Sequence, residues 1–230
     1  VPSFSNKKEL RFVITLGTGA FGSSSANQIT LEGFRAIVDI DKGGGQMFAA
    51  LRAQIYGVSQ SDMNQITTLQ YKALAGMLPN TISAYAIDGP QETLIFAGNI
   101  INAWGNYLAM PDVFLEIQAQ SAFLNQLKPL APTSFKGTID AATVMSQIAT
   151  AMGYTFENNG VIVPLLNPYF AGAAIDQAKS LAQQAHIWWG IDNNILWIAP
   201  LGGARGGAIP QISSASGLIG YPTFDGQGYI

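Results

Sequence analysis

Through the first half of the chain, apolar and polar residues alternate with a period of two, the signature of half-buried strands. Leu10 to Leu16 is an apolar, β-branched run. Phe34, Ala36, Val38 and Ile40 alternate with Arg35, Ile37 and Asp39. Asp41-Lys42-Gly43-Gly44-Gly45-Gln46 reads as a turn, and Leu51, Ala53 and Ile55 then alternate with Arg52 and Gln54. Together these predict a long hairpin. A helix is expected next, capped by Ser59 or Ser61, with Asp62 near its positive end. Its apolar side carries Met63, Ile66 and Leu69 or Gln70, and its far end lies near Leu78, before Pro79. Three strands follow, at Thr81–Asp88, Thr93–Ala103 and Val113–Gln120, the first two joined by the turn Asp88-Gly89-Pro90-Gln91. In the third, Val113, Leu115 and Ile117 face one way, and Phe114, Glu116 and Gln118 the other.

The pattern changes at Lys128-Pro129-Leu130-Ala131-Pro132, which reads as a linker. Beyond it, Asp140 can cap a helix bearing Val144, Met145, Ile148 and Met152, with Gly153 as its stop. Tyr154-Thr155-Phe156 reads as a short strand, Asn158-Asn159-Gly160 as a hairpin turn and Val161-Ile162-Val163 as the return strand. A second helix is predicted over Gly172 to Ala185, packing through Ala174, Ala178, Leu181, Ala182 and Ala185. A further hairpin runs from Ile187–Ile191 through Asn193-Asn194 to Ile195–Ala199. Two helices against one antiparallel sheet are expected. The implied organisation is a β-rich domain over 1–127, a small α+β domain over 133–199, and an extended segment over 200–230 returning to the first domain or to a neighbouring subunit.

Composition narrows the function classes. Only 11% of residues are charged against 48% hydrophobic, where globular proteins carry roughly 25% charged residues. Asn, Gln, Ser, Thr and Gly must therefore cover the surface. That suits a chain largely covered by partners, or a β-rich protein with a polar, uncharged surface. The net charge is −3 and no basic stripe is present, which argues against binding a phosphate backbone. Cysteine is absent, so disulfides, thiolate metal sites and a Cys nucleophile are excluded. Val1 to Arg11 lacks the apolar core of a signal peptide. The apolar runs are too short and broken for a membrane span.

Candidate chemistry is sparse. Gly17-Thr18-Gly19-Ala20-Phe21-Gly22 fits G-x-G-x-x-G after a predicted strand, and Asp39 follows about 20 residues later. A dinucleotide site needs a helix after that loop, and Ser23-Ser24-Ser25-Ala26-Asn27-Gln28 followed by strand-spaced residues predicts none. His186 is the only histidine and is expected to close a helix rather than act in a relay. The acids are too dispersed to nominate a glycosidase pair. Trp188, Trp189 and Trp197 fall on facing strands, either as a cross-strand aromatic core or as an exposed contact surface. No catalytic, cofactor-binding or metal residue is nominated, and no enzymatic activity is expected.

Several segments together resemble a known family. Ile55-Tyr56-Gly57-Val58-Ser59-Gln60-Ser61-Asp62-Met63-Asn64, running into Ile66-Thr67-Thr68-Leu69, is similar to a segment of bacteriophage baseplate hub proteins. Phe96-Ala97-Gly98-Asn99-Ile100 with Ala103, then Pro111-Asp112-Val113, resembles the same family's strand pair. Asn167-Pro168-Tyr169-Phe170, Trp188-Trp189 and Gly217-Leu218-Ile219-Gly220-Tyr221-Pro222 continue the likeness. The resemblance implies an α+β, β-rich fold, with a tube-type β-barrel or sandwich body and a small two-helix α+β domain. It implies a structural subunit without cofactor, in a homotrimeric ring that joins the tail tube to the central spike. Expected partners are further copies, tube, spike and other baseplate proteins and a tape-measure protein. DNA is expected only in transit, with no stable membrane insertion. The expected location is the virion tail, after assembly in the host cytoplasm. A hub-associated lytic or carbohydrate-binding protein acting on the cell wall is the alternative. Hub proteins continue past a Gly-Tyr-Pro element like this one, whereas this sequence stops at Ile230, so a second tube module is expected to be missing.

Overall fold

The period-two runs of the first half form seven strands and one short helix. In chain order they are β1 (Lys8–Thr15), β2 (Gln28–Glu32), β3 (Ala36–Asp41), β4 (Ala50–Tyr56), α1 (Gln60–Ile66), β5 (Thr81–Asp88), β6 (Gln91–Asn106) and β7 (Phe114–Gln120). The computed structural model describes residues 8–22, 25–42, 48–68, 78–108, 110–206, 213 and 220. All seven strands join one antiparallel sheet in the order β2-β1-β5-β6-β7-β4-β3. The turn expected at Asp41–Gln46 is described only through Lys42. The strands it joins pair as expected, Val38 with Ala53 and Ile40 with Leu51.

Strands β2 and β3 stand at opposite ends of that order, yet only Gly33, Phe34 and Arg35 separate them. Seven strands laid flat would put the two edges about 29 Å apart. The link from Glu32 to Ala36 reaches at most about 14 Å. The sheet must therefore roll until its ends approach. Lys8 to Leu10 of β1 and Gly33 to Ala36 accordingly line one cleft. The roll encloses a core of Phe12, Ile14, Leu51, Ile55, Ile82, Phe96, Ile100, Leu115 and Ile117. Helix α1 adds Met63 and Ile66 to it. The interior is filled by side chains.

Helix α1 is shorter than its sequence pattern suggests. The Ser59 Oγ caps it by accepting the Asp62 N–H at 3.1 Å. It ends at Ile66, and Thr68 exchanges two backbone hydrogen bonds with Ala103, each 2.9 Å. Strand β6 outcompetes a further helical turn for the backbone of Thr68. The expected continuation toward Leu78 falls on residues 69–77, outside the described residues. The Asn80 amide fastens this corner, donating to Thr68 Oγ1 at 2.9 Å and accepting from Gly17 N at 2.9 Å.

A second core follows β7. Its elements are α2 (Phe123–Leu127), β8 (Thr133–Ser134), β9 (Thr138–Asp140), α3 (Ala141–Met152), β10 (Thr155–Asn158), β11 (Pro164–Leu166), β12 (Tyr169–Phe170), α4 (Ala174–Ala185), β13 (Ile187–Asp192) and β14 (Ile195–Pro200). Val144, Met145 and Ile148 of α3 meet Ala178, Leu181 and Ala182 of α4 over Trp189, Leu196 and Ile198. The fold is α+β and β-rich, as expected. The β13–β14 hairpin has Asn193 and Asn194 both at positive φ, the conformation that a two-residue hairpin turn requires.

Three expectations need correction here. The Asn158-Asn159-Gly160 turn makes no hairpin, because β10 pairs parallel with β14 and residues 161–163 are not a strand. The Asn158 side chain accepts from Val161 N at 2.8 Å and donates to its carbonyl at 3.0 Å. This local side-chain turn replaces the ladder. The small sheet β10-β14-β13 is thus mixed, not antiparallel throughout. Asp140 stands at the N-cap of α3, but its Oδ1 accepts from Val163 N at 2.9 Å rather than from the helix. The expected packing residues of α4, Ala174, Ala178, Leu181, Ala182 and Ala185, are all buried, and Gln177, unread in the sequence, is fully buried with them. Its Oε1 accepts from Thr133 Oγ1 at 2.7 Å, and its Nε2 donates to the carbonyls of Ala131 and Gly172 at 3.1 and 3.2 Å. The proline-containing stretch before β8 is fastened to the start of α4 by this amide, by the Pro129–Ala173 bridge and by Leu130 N on the Gly172 carbonyl at 3.4 Å.

The roll rests on the turn at Gly33, whose φ is +76°. The position is sterically open, so a side chain there meets only backbone strain. Gly33→Val is expected to cost about 1–2 kcal/mol, read as a lowered midpoint in urea denaturation with an unchanged slope.

Candidate interaction surfaces

The Gly17–Gly22 loop does not make a phosphate cradle. It connects two antiparallel neighbours, β1 and β2, and no helix follows it among the described residues. The Gly17 amide is bound to Asn80 and the Gly22 amide to Gln65 Oε1 at 3.2 Å. A Cβ on Gly17 would lie 1.9 Å from the Leu78 carbonyl oxygen, so this glycine permits close backbone approach. Asp39 lies on β3, opposite Arg52, at the other end of the strand order from β2. His186 takes the left-handed conformation, φ 51°, and its N–H closes α4 on the carbonyls of Ala182 and Gln183. The sequence placed it at that helix end.

Strand alternation divides the tryptophans between two faces. Trp189 is buried in the second core, and Trp188 projects outward half-exposed. Trp197 shares the outward face, opposite Gly190. Gly190 has no Cβ, which leaves a flat seat for the Trp197 indole.

A chain of charges crosses the same region. Lys42 Nζ lies 2.7 Å from Asp192 Oδ1, and Arg205 Nη1 lies 3.3 Å from Asp192 Oδ2. Arg205 forks onto Glu157 through Nε and Nη2 at 3.0 and 2.9 Å. Asn159 Nδ2 adds a donor to Glu157 Oε1 at 3.0 Å. The Arg205 hydrogen bond holds the Glu157 carboxyl below its ordinary pKa, against a smaller opposing effect of burial. A glycosidase general acid needs the opposite shift. The network is an electrostatic fastening that ties residue 205 to the small sheet and the end of β3 to the β13–β14 turn. Asn193 Nδ2 reinforces it by donating to the Leu94 carbonyl of β6 at 3.0 Å. Local sequence patterns carry no trace of it, since Lys42 and Asp192 are 150 residues apart.

A cleft of about 250 Å³ lies where the two cores meet, lined in part by Ser83, Asn99, Asn125 and Tyr154. Burial raises the Tyr154 pKa, opposed by hydrogen bonds with the Asn125 side chain and the Ala122 backbone. The phenol therefore stays protonated. No group of three or more His, Cys, Asp or Glu side chains among the described residues is arranged to hold a metal. What the surface offers is apolar contact. Leu108 and Met110 project from the β6–β7 connection, and Ile162, Leu166 and Tyr169 from the segment around β11 and β12. The sequence reading left Leu108 and Met110 unassigned, between the strands predicted at Thr93–Ala103 and Val113–Gln120. The extended segment expected over 200–230 is described only through Gly206 and at Ser213 and Gly220.

No protein-family model matches the chain, and no curated protein does. Among solved structures, the fold is similar to the 43 kDa tail protein of prophage MuSo2 from Shewanella oneidensis. The TM-score is 0.50 at 12% identity, over 84% of this chain and 53% of that one. The prophage tail protein gp18 from Listeria monocytogenes EGD-e gives 0.46 at 10% identity, over 82% of this chain and 50% of that one. The tail protein from Neisseria meningitidis MC58 gives 0.46 at 9%, over 82% and 50%. The chain spans about half the length of these structures. The likeness to the Shewanella protein is one of fold.

The depressed Glu157 pKa makes a pH prediction. A carboxylate with a lower pKa folded than unfolded stabilises fully above the ordinary carboxylate range, and that stabilisation is lost as pH falls through the folded value. Arg205→Met is therefore expected to lower the melting temperature at pH 7 and to leave it unchanged at a pH below the folded value. Both side chains are about one-third exposed, so the difference is small. Melting curves of both proteins from pH 7 to pH 2 check it.

Proposed function

We propose that this chain is a non-catalytic structural subunit of a phage tail, placed in the baseplate hub. In this reading copies form a homotrimeric ring that joins the tail tube to the central spike. The observation that carries it is the rolled seven-stranded sheet with its appended α+β core, which matches a prophage tail protein over 84% of this chain. Composition supports it, because 11% charged residues leave a surface suited to coverage by neighbours. The partners are other copies, tube, spike and baseplate proteins and the tape-measure protein. DNA is met only in transit, and no membrane insertion is part of the role. The protein assembles in the host cytoplasm and ends in the virion tail.

The filled interior of the roll bears on where a channel runs. A passage for DNA has to lie between copies, along outer sheet faces. The outer face of β4, β7 and β6 carries amides in mutual contact, Asn102 Nδ2 donating to Gln118 Oε1 at 3.2 Å, with Gln54 beside Tyr56. Arg52, opposite Gln118, and Glu116, opposite Gln54, share that face, so it presents amides with one charge of each sign.

Native mass spectrometry of the purified chain tests the ring, with three times the 24.4 kDa subunit mass as the expected product. A contact of this obligate kind buries on the order of 2,000 Å² or more. A monomer at every concentration, with and without a tube protein, would remove the ring. Release of soluble fragments from peptidoglycan by the pure protein would favour the lytic alternative.

A further inference from the structure

Among the described residues, the four most exposed large apolar side chains, Leu108, Ile162, Met110 and Leu166, fall into two groups, while Leu78, Leu201 and Ile37 are exposed elsewhere. One is the tip of the β6–β7 hairpin, where Leu108 is 97% exposed and Met110 73%. The tip is braced, because Asn106 Oδ1 accepts from Leu108 N at 3.1 Å and Asn106 Nδ2 donates to Glu116 Oε2 at 3.1 Å. The other is a row on the second core, with Ile162 at 85%, Leu166 at 70% and Tyr169 at 66%. Strand-like alternation sends Val161 and Leu165 inward and Ile162 and Leu166 outward. This stretch is therefore apolar on both faces, the composition of extended chain that is covered on both sides.

The two groups do not cover each other within one chain, as their exposures show. Strand β7 separates them: it begins at Phe114 beside the tip and ends at Gln120, next to Ala122 of the second core. Its length is about 20 Å. Each group also carries a charge of opposite sign. Asp112 is exposed beside the tip. Lys136 is exposed beside the row, held there by Phe135 N on the Pro168 carbonyl at 3.1 Å and Asn167 N on the Gly137 carbonyl at 2.8 Å. Neither side chain has an ion-pair partner among the described residues. In a chain with so few charges, an unpaired acid at one apolar group and an unpaired base at the other are complementary.

We infer that the hairpin tip of one copy docks on the Ile162–Leu166–Tyr169 row of the next, with Asp112 facing the neighbour's Lys136. The contact is heterologous: each copy gives its tip to one neighbour and its row to the other. Contacts of that kind run head to tail, and close into a ring when the rotation between copies allows. This rests on the ring reading above and specifies the surfaces that make it.

The absence of cysteine makes the test clean, since engineered thiols are then the only ones present. Leu108→Cys and Leu166→Cys both fall at exposed positions, outside either core. Equal amounts of the two single variants, one lengthened by a tag, are mixed under mild oxidation. The expected product is the mixed dimer, in excess over both same-variant dimers, with nothing larger. The double variant is expected to give a ladder of covalent multimers. Reversal by Asp112→Lys is expected to weaken assembly about threefold, and adding Lys136→Asp to restore it. Cross-linking no greater for the mixture than for each variant alone, with the wild type still multimeric by mass, overturns this contact and leaves the ring standing. A wild type that is monomeric at the same concentration overturns both.

Discussion

Three residues have to carry the chain from one end of a seven-stranded sheet to the other. Gly33, Phe34 and Arg35 do so between β2 and β3, and no flat or gently twisted sheet satisfies that distance. The roll is thus imposed by covalent connectivity before any side chain packs. Rolling places one face of every strand inside, which is why Phe12, Leu51, Ile55, Ile82, Phe96, Leu115 and Ile117 converge on one core from five strands. It also leaves an open mouth, and α1 closes it with Met63 and Ile66.

Filling the interior in this way leaves the exposed apolar groups outside it, at the β6–β7 hairpin tip and on the row around Ile162. The charged groups mostly serve the chain itself. Arg11 pairs with Glu92, Lys8 with Asp88, and Arg205 with Glu157 and Asp192. These ion pairs are internal fastenings, joining strands of the sheet and residue 205 to the second core.

The legible parts of the fold were those governed by local period. The Leu51-Ala53-Ile55 and Leu115-Ile117 alternations gave strands with the correct faces, and Gly153 and His186 gave helix ends. What was not legible depends on side chains competing with the backbone at long range. Asn158 folds its own turn and so cancels a hairpin that Asn-Gly normally signals. Gln177 looks like a polar interruption in sequence, yet it holds Thr133 of β8 from 44 residues away. The residues after the Gly17–Gly22 motif keep strand spacing, and the loop accordingly leads into strand β2. The exposed apolar groups were not legible: Leu108 and Met110 lay unread between two predicted strands, and Ile162 was read as part of an ordinary hairpin.

Strand β6 has a mechanical consequence. Over its 16 residues it pairs first with β5 and then with β7, and Asn99 is bonded to both, opposite Thr81 and Gln120. The ladder bonds lie across the strand direction. Tension applied at the hairpin tip and resisted near Leu94, where Asn193 holds the strand, runs along this one element and loads many backbone bonds in shear at once. Such a strand acts as a tie rod. It carries force along the sheet from the hairpin tip to Leu94.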